Sequence, residues 1–364
     1  MLKDESASAG ISLKIGVSTL PGVFPRFDET EPFTGEGGKR VYGIKSTEVS
    51  DSQSGEPSKG KGGVIRAIDN AWNWANSNNL DIWMLPELCL DQNALNHLSN
   101  RLTGSPNSNY PKVVLPGTTY VQTGASKHSN RAPIWVRAGS GKWDFTSKYY
   151  NKRIPFGMNT NVSDKAPQDI REISRKAESR GVKILEEHFE RGNEVVTNTI
   201  NGVKCGIAVC RDVLDVFDDR NPLFKYNREN KVDLMLVTSM NSGHTNLFTA
   251  TAESMARWHN CATVYINNFT SVTDDQNNTV ELSFAFLPDT SRVAGIKGFI
   301  YYRKLPLVVT GKDSDTESEP EVDSAFENRV TAIYSDSVRA LPIPLGGNVL
   351  YEISNGNFVN PRIL

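Results

Sequence analysis

The chain has 364 residues, of which 38% are hydrophobic and 23% charged, and a formal net charge of −2. That balance supplies enough apolar material for a sizeable core. It excludes both a strongly basic nucleic-acid surface and a disordered, low-hydrophobicity chain. No apolar run reaches the roughly 18 residues that a membrane helix needs, and the first residues, Met1–Ser6, lack the apolar stretch of a signal peptide. The four cysteines, Cys89, Cys205, Cys210 and Cys261, have no CxxC spacing and form no zinc-type cluster with histidine. So few thiols in a long chain fit a reducing, cytoplasmic compartment, with no metal or cofactor expected.

In chain order, Ile11–Leu20 alternates and predicts a first strand. Residues Phe27–Gly63, rich in Gly, Ser, Lys and Glu, predict a long exposed polar insertion. Its GEGGK stretch, Gly35–Lys39, lacks the spacing of a phosphate loop. Val64–Asn76 places Ile65, Ile68, Ala71, Trp72 and Ala75 at helical intervals. Leu80–Leu85 predicts a buried strand interrupted by Asp81 and ended by Pro86-Glu87. Further strands are predicted at Lys112–Leu115, Thr118–Val121, Ala132–Ala138 and Trp143–Tyr150. Asp164–Arg180 reads as a helix. Glu194–Ile200 and Val203–Val209 read as a hairpin around Asn201-Gly202, a strong two-residue turn signal. Strand, helix and strand follow at Val232–Thr238, Thr249–Asn260 and Ala262–Asn267, then an acidic loop at Gly311–Glu327 and short C-terminal strands. Alternating helices and continuous apolar strands predict a layered α/β fold.

Three strand ends carry reactive side chains. Glu87 follows the Leu80–Leu85 strand, Lys152 follows an aromatic strand in Tyr150–Pro155 (YNKRIP), and Cys210 ends the buried run Gly206–Val209 just before Arg211-Asp212. A thiol is a good nucleophile only as thiolate. A carboxylate can take its proton, and an ammonium can stabilise the anion that forms on a substrate oxygen. Taken singly, each residue has a plain structural explanation: a surface glutamate, a solvated lysine, a buried thiol acting as a small hydrophobe. Cys205 lies on the same strand without a charged turn and reads as core.

The ordered set resembles the nitrilase superfamily of carbon–nitrogen hydrolases. LPEL at Leu85–Leu88 resembles its first motif, YNKRIP its lysine motif and GIAVCRD at Gly206–Asp212 its cysteine motif. FERGNEV at Phe189–Val195 resembles the element before the nucleophile strand. VDLMLVTSMNS at Val232–Ser242 resembles the strand that supplies pocket residues, here Asn241 and Ser242. Ala252–Phe269 resembles the family's late helix and strand. The resemblance covers roughly residues 11–300 and favours Lys152 over Lys148 as the motif lysine. It implies Cys210 as nucleophile, Glu87 as general base, and Lys152 with the backbone N–H of Arg211 as the oxyanion site. Glu186, with Glu187 beside it, is the nearest match to a second glutamate. His259 stands where the family often has an acidic residue; His188 and His244 read as structural or pocket-lining, and Trp135, Trp143 and Trp258 as core.

The implied fold is a single domain over 1–364, a four-layer α-β-β-α sandwich with mixed sheets, pairing into a homodimer or higher homo-oligomer. The implied activity is hydrolysis of a non-peptide carbon–nitrogen bond in a small-molecule amide, through a thioester. A nitrile substrate or acyl transfer would use the same three residues. From a different class, the chain could be a ligand-sensing part of a larger, possibly defence, assembly, or a non-catalytic module.

Overall fold

The structure, a computed structural model, describes residues 12–20, 25–27, 33–34, 40–41, 47–49, 64–104, 111–124, 128–155, 157–159, 168–181, 184–186, 189–217, 232–240, 248, 251–252, 255, 261–267, 284–289, 297–300, 348–354 and 357–363. Leu13, Ile15 and Val17 alternate with smaller or polar residues, and this stretch forms the strand Ser12–Ser18. It lies in a seven-stranded mixed sheet. The parallel strands Ile82–Met84 and Val113–Leu115 continue it on one side, followed by the antiparallel Trp135–Arg137 and Trp143–Asp144. On the other side Asn348–Ser354 pairs antiparallel with it, and Asn357–Ile363 pairs antiparallel with Asn348–Ser354.

The two faces of this sheet are covered differently. Trp83, Leu85, Val114 and Trp135 pack beneath helices α1 (Val64–Ser77) and α2 (Gln92–Thr103). Leu13, Ile15, Val17, Ile82, Met84, Val113 and Leu115 face a second sheet instead. Helix α1 follows the predicted periodicity, burying Ala67, Ile68, Ala71, Trp72 and Ala75. Helix α2 was not anticipated; its signal is Asp91, an N-cap whose Oδ1 accepts from Ala94 N–H at 2.9 Å, followed by buried Ala94, Leu95, Leu98 and Leu102. Asp69 of α1 binds His97 and Arg101 of α2 at 2.9 and 2.7 Å.

The second sheet has six strands, Thr197–Ile200, Val203–Val209, Leu234–Ser239, Ala262–Asn267, Phe284–Asp289 and Lys297–Ile300, in that order. Its central three strands are parallel, and two of them, Leu234–Ser239 and Ala262–Asn267, are buried along their whole length. Such continuous apolar runs are the mark of strands covered on both faces. The predicted hairpin joins the first two strands. Asn201 and Gly202 both take positive φ, +49° and +82°, as a two-residue turn of the primed type requires.

Asp81, which interrupts an apolar run, has a place in this packing. Its carboxylate accepts from Lys14 N–H at 2.9 Å, from Asn201 Nδ2 at 3.0 Å and from Lys112 Nζ at 2.8 Å. The hairpin tip of one sheet is thereby fastened to the other.

Several predicted elements are corrected. Ala132–Ala138 is not one strand: His128–Pro133 belongs to a three-stranded sheet with Thr119–Gln122 and Tyr149–Asn151, whereas Trp135–Arg137 belongs to the seven-stranded sheet. Pro133 has no N–H to extend a ladder, and the chain changes sheets directly after it. Trp143–Tyr150 is likewise two strands, because Asp144 Oδ1 captures the N–H groups of Thr146 and Ser147 at 3.1 and 2.9 Å and turns the chain. The predicted polar insertion, with the two residues before it, contains two short ladders, Pro25–Phe27 with Thr47–Val49 and Phe33–Thr34 with Arg40–Val41. Helix α3 (Gln168–Ser179) lies within the predicted helical span. Of Thr249–Asn260, the described Thr251, Ala252 and Met255 are helical. The acidic loop lies outside the described residues. Among the described residues no helix is long and apolar enough to cross a membrane.

Replacing Asp81 with Ala removes the acceptor shared by the part-buried Lys14 N–H and Asn201 Nδ2, at about 1–3 kcal/mol. The Asp81→Ala midpoint in urea should fall accordingly, with Lys112→Ala, which removes only a half-exposed cation, changing it far less.

Candidate active site

Glu87 and Lys152 are paired at the C-terminal end of the strand Leu234–Ser239, and Cys210 directly follows the neighbouring strand Val203–Val209. All three are buried, with exposures of 2%, 1% and 3%. Lys152 Nζ lies 2.8 Å from Glu87 Oε1. Asn130 Nδ2 donates to the same oxygen at 3.2 Å, and Met240 N–H donates to Oε2 at 3.0 Å. The carboxylate is therefore bound by a cation, an amide and a main-chain donor.

Local sequence explains the position of Glu87. The strand Ile82–Met84 ends at Leu85-Pro86, and Leu88 takes a left-handed φ of +53°. Gly117 passes so close to Pro86 O that any side chain there would collide with it. Thr118 Oγ1 accepts from Leu88 N–H at 3.1 Å. Across the sheet interface Thr238 Oγ1 donates to Leu85 O at 2.9 Å, so the second sheet holds the turn that carries Glu87.

Lys152 follows the strand Tyr149–Asn151. Its N–H donates to Asn130 O at 2.8 Å and its carbonyl accepts from Gly192 N–H at 2.9 Å. Gly192 lies against Asn151 O, where a Cβ has no room, which accounts for the glycine in FERGNEV. Phe189, in the same stretch, presents its ring 6.0 Å from the ammonium. Lys148, by contrast, is exposed and donates to Asn198 Oδ1.

Cys210 leaves the strand Val203–Val209 and opens a 3₁₀ segment, Cys210–Phe217. Its φ is +48°, a left-handed conformation that costs a non-glycine residue about 1–2 kcal/mol. A strained strand-to-helix turn of this kind presents a side chain at the rim of a sheet. The thiol is more buried than its predicted, partly exposed position. The next residue, Arg211, is exposed.

Sequence reasoning gave no role to Asp212, Asn130 or Phe189. Asp212, fully buried, accepts from Tyr150 Oη at 2.7 Å and from the N–H groups of Arg153 and Ile154 at 3.0 and 2.8 Å. Burial pushes its carboxyl up to about 7, against the pull of Lys152 and these donors. The available signal was its place as the last residue of the GIAVCRD motif. Of the remaining predicted site residues, Glu186 ends the strand Ile184–Glu186. Asn241, Ser242, Glu187, His188, His244, Trp258 and His259 lie outside the described residues. Trp135 is buried as predicted, while Trp143 is only partly buried at the sheet edge. Among the described residues no group of three His, Cys, Asp or Glu is placed to hold a metal ion.

No family model and no curated protein sequence matches the chain. Solved structures do. A glutamine-dependent NAD+ synthetase from Acinetobacter baumannii is similar at 16% identity over 75% of this chain, with a TM-score of 0.41; the chain spans 41% of that protein. A CN-hydrolase superfamily protein from Xanthomonas campestris, carrying an arsenic adduct in its active site, is similar at 15% identity over 75% of this chain and 82% of its own, with a TM-score of 0.41. An amidase of the nitrilase superfamily from Nesterenkonia AN1, as a cysteine-to-alanine mutant, is similar at 12% identity over 81% of this chain and 90% of its own, with a TM-score of 0.43.

Burial raises the thiols of Cys89 and Cys261 well beyond the ordinary range and pushes Cys205 up to about 12. Iodoacetamide at mildly alkaline pH should therefore leave these three unmodified in the folded protein. Intact-mass and peptide analysis should find the single adduct on Cys210, and an adduct on any of the other three would contradict their protected state.

Proposed function

We propose that the chain is a carbon–nitrogen hydrolase that cleaves a small-molecule amide through a thioester on Cys210. The single observation that carries this reading is the buried Lys152–Glu87 pair beside the strained turn at Cys210. A buried ion pair adds little stability compared with apolar residues of the same volume, and a left-handed cysteine adds strain. Both make sense together as chemistry.

In this reading the Cys210 thiol passes its proton to Glu87. The thiolate sulfur attacks the amide carbonyl carbon, and the oxyanion is held by the Lys152 ammonium and the backbone N–H of Arg211. Glu87, now a carboxylic acid, returns the proton to the departing nitrogen. The C–N bond breaks and an amine or ammonia leaves, with the acyl group on sulfur. Glu87 then takes a proton from water, whose oxygen attacks the thioester; the carboxylic acid leaves and Cys210 regains its proton. Thiol, carboxylate and ammonium sum to no net charge. Thiolate, carboxylic acid and ammonium sum to none either, so the first proton transfer moves no net charge into the buried site. Glu186 enters as a second glutamate and Asn241 and Ser242 as pocket residues only through the family resemblance.

The same reading extends to architecture. Helices α1 and α2, the two sheets and a helical layer containing Thr251, Ala252 and Met255 are taken as a four-layer α-β-β-α sandwich forming one domain, which pairs with a second copy.

Incubation with a mixture of short amides, followed by acid quenching and intact-mass measurement, should show an acyl adduct that maps to Cys210. Cys210→Ala should abolish the adduct and amide turnover while leaving the circular dichroism spectrum unchanged. Glu87→Gln should slow turnover by about 10²–10⁴-fold, the usual range for loss of a general base. Full activity in Cys210→Ala would sink the assignment.

A further inference from the structure

Asp212 lies two residues beyond Cys210, and its carboxylate reaches the chain on both sides of Lys152. Tyr150 Oη, two residues before the lysine, donates to Oδ2 at 2.7 Å. Arg153 N–H, one residue after it, donates to Oδ2 at 3.0 Å, and Ile154 N–H donates to Oδ1 at 2.8 Å. Between these grips, the lysine's own N–H and carbonyl are held by Asn130 O and Gly192 N–H, and its ammonium by Glu87. The nucleophile turn and the lysine segment come from different sheets, 58 residues apart in sequence. Among the described residues Asp212 is the side chain of the Cys210 turn that binds the lysine segment on either side of Lys152.

We propose that Asp212 is a positioning residue, whose carboxylate fixes the Lys152 ammonium relative to the sulfur of Cys210 so that an oxyanion formed there meets its partner. The inference rests on the reading of Cys210, Glu87 and Lys152 as the reacting groups. Asp212 touches neither substrate nor sulfur in this role; it acts through the main chain around Lys152. An asparagine there keeps the shape but replaces one acceptor oxygen by an NH₂ group. That group must then face the main-chain N–H of Arg153 or Ile154, which can only donate, and this pushes the lysine segment away. The groups facing Asp212 are Lys152, Tyr150 and Arg153, and Lys152 is the cation whose field acts on it directly.

Two reactions of the same sulfur separate positioning from general structural support. Acylation by p-nitrophenyl acetate forms an S–C bond through an oxyanion and releases p-nitrophenolate. Alkylation by iodoacetamide displaces iodide and forms no oxyanion. Asp212→Asn should slow the acylation of Cys210 by about 10²-fold, the penalty of a displacement near 1 Å, while its alkylation stays within a few-fold of the parent chain. Tyr150→Phe, which removes one donor and keeps the ring in the core, should slow acylation several-fold, again with alkylation little changed, and it carries the test if Asp212→Asn does not fold. Acylation at the parent rate in both variants, or acylation and alkylation falling by the same factor, overturns the proposal. A parent chain that p-nitrophenyl acetate does not acylate at Cys210 overturns the underlying reading, and this inference with it.

Discussion

The ion pair between Lys152 and Glu87 is the constraint around which the rest of the site is arranged. Removing two charges from water costs several kcal/mol for each ion, and mutual attraction offsets this only when the remaining lone pairs and protons are also bound. Glu87 meets that condition with donors from three places: the Lys152 ammonium, the Asn130 amide and the Met240 main chain. Asn130 belongs to the three-stranded sheet, Met240 follows a strand of the six-stranded sheet, and Glu87 follows a strand of the seven-stranded sheet. One carboxylate thus ties three sheets to a common point, and an error in any of them removes one of its partners.

Backbone geometry does much of this work. Two turns at the site hold non-glycine residues in left-handed conformations, at Leu88 and at Cys210, while Gly117 and Gly192 let main chain approach main chain where no side chain fits. Strain at one residue persists only when its surroundings over-determine it. At Cys210 those surroundings include the Val209 pairing with Thr238 on one side and the bonds of Asp212 on the other.

Much of the fold was legible where a local rule is strong. The alternation of Leu13, Ile15 and Val17, the helical spacing in α1 and the Asn201-Gly202 turn each translate directly into structure. The convergence of Glu87 and Lys152 was legible only as an ordered set of motifs, since neither residue differs locally from a surface charge. What local pattern does not carry is pairing at long range. Nothing near Asn348–Ser354 says that it lies beside Ser12–Ser18, and the break at Ile134 shows only when the strands on either side join different sheets. Asp212 stands in the cysteine motif without a role for the same reason: its partners Tyr150, Arg153 and Ile154 are distant in sequence.

Thr238 joins the two large sheets beside Glu87, and the Asp81–Asn201 contact joins them at the hairpin tip. Their relative register is thereby a quantity that the protein measures with its own chemistry. A slip of one residue along a strand, about 3.3 Å, would carry Met240 N–H away from Glu87 while leaving each sheet internally intact. The arrangement around Glu87 is therefore a property of the interface between the sheets and not of either sheet alone. Neither half of the chain inherits it, and a rearranged or divided version of the protein would keep it only by restoring that register.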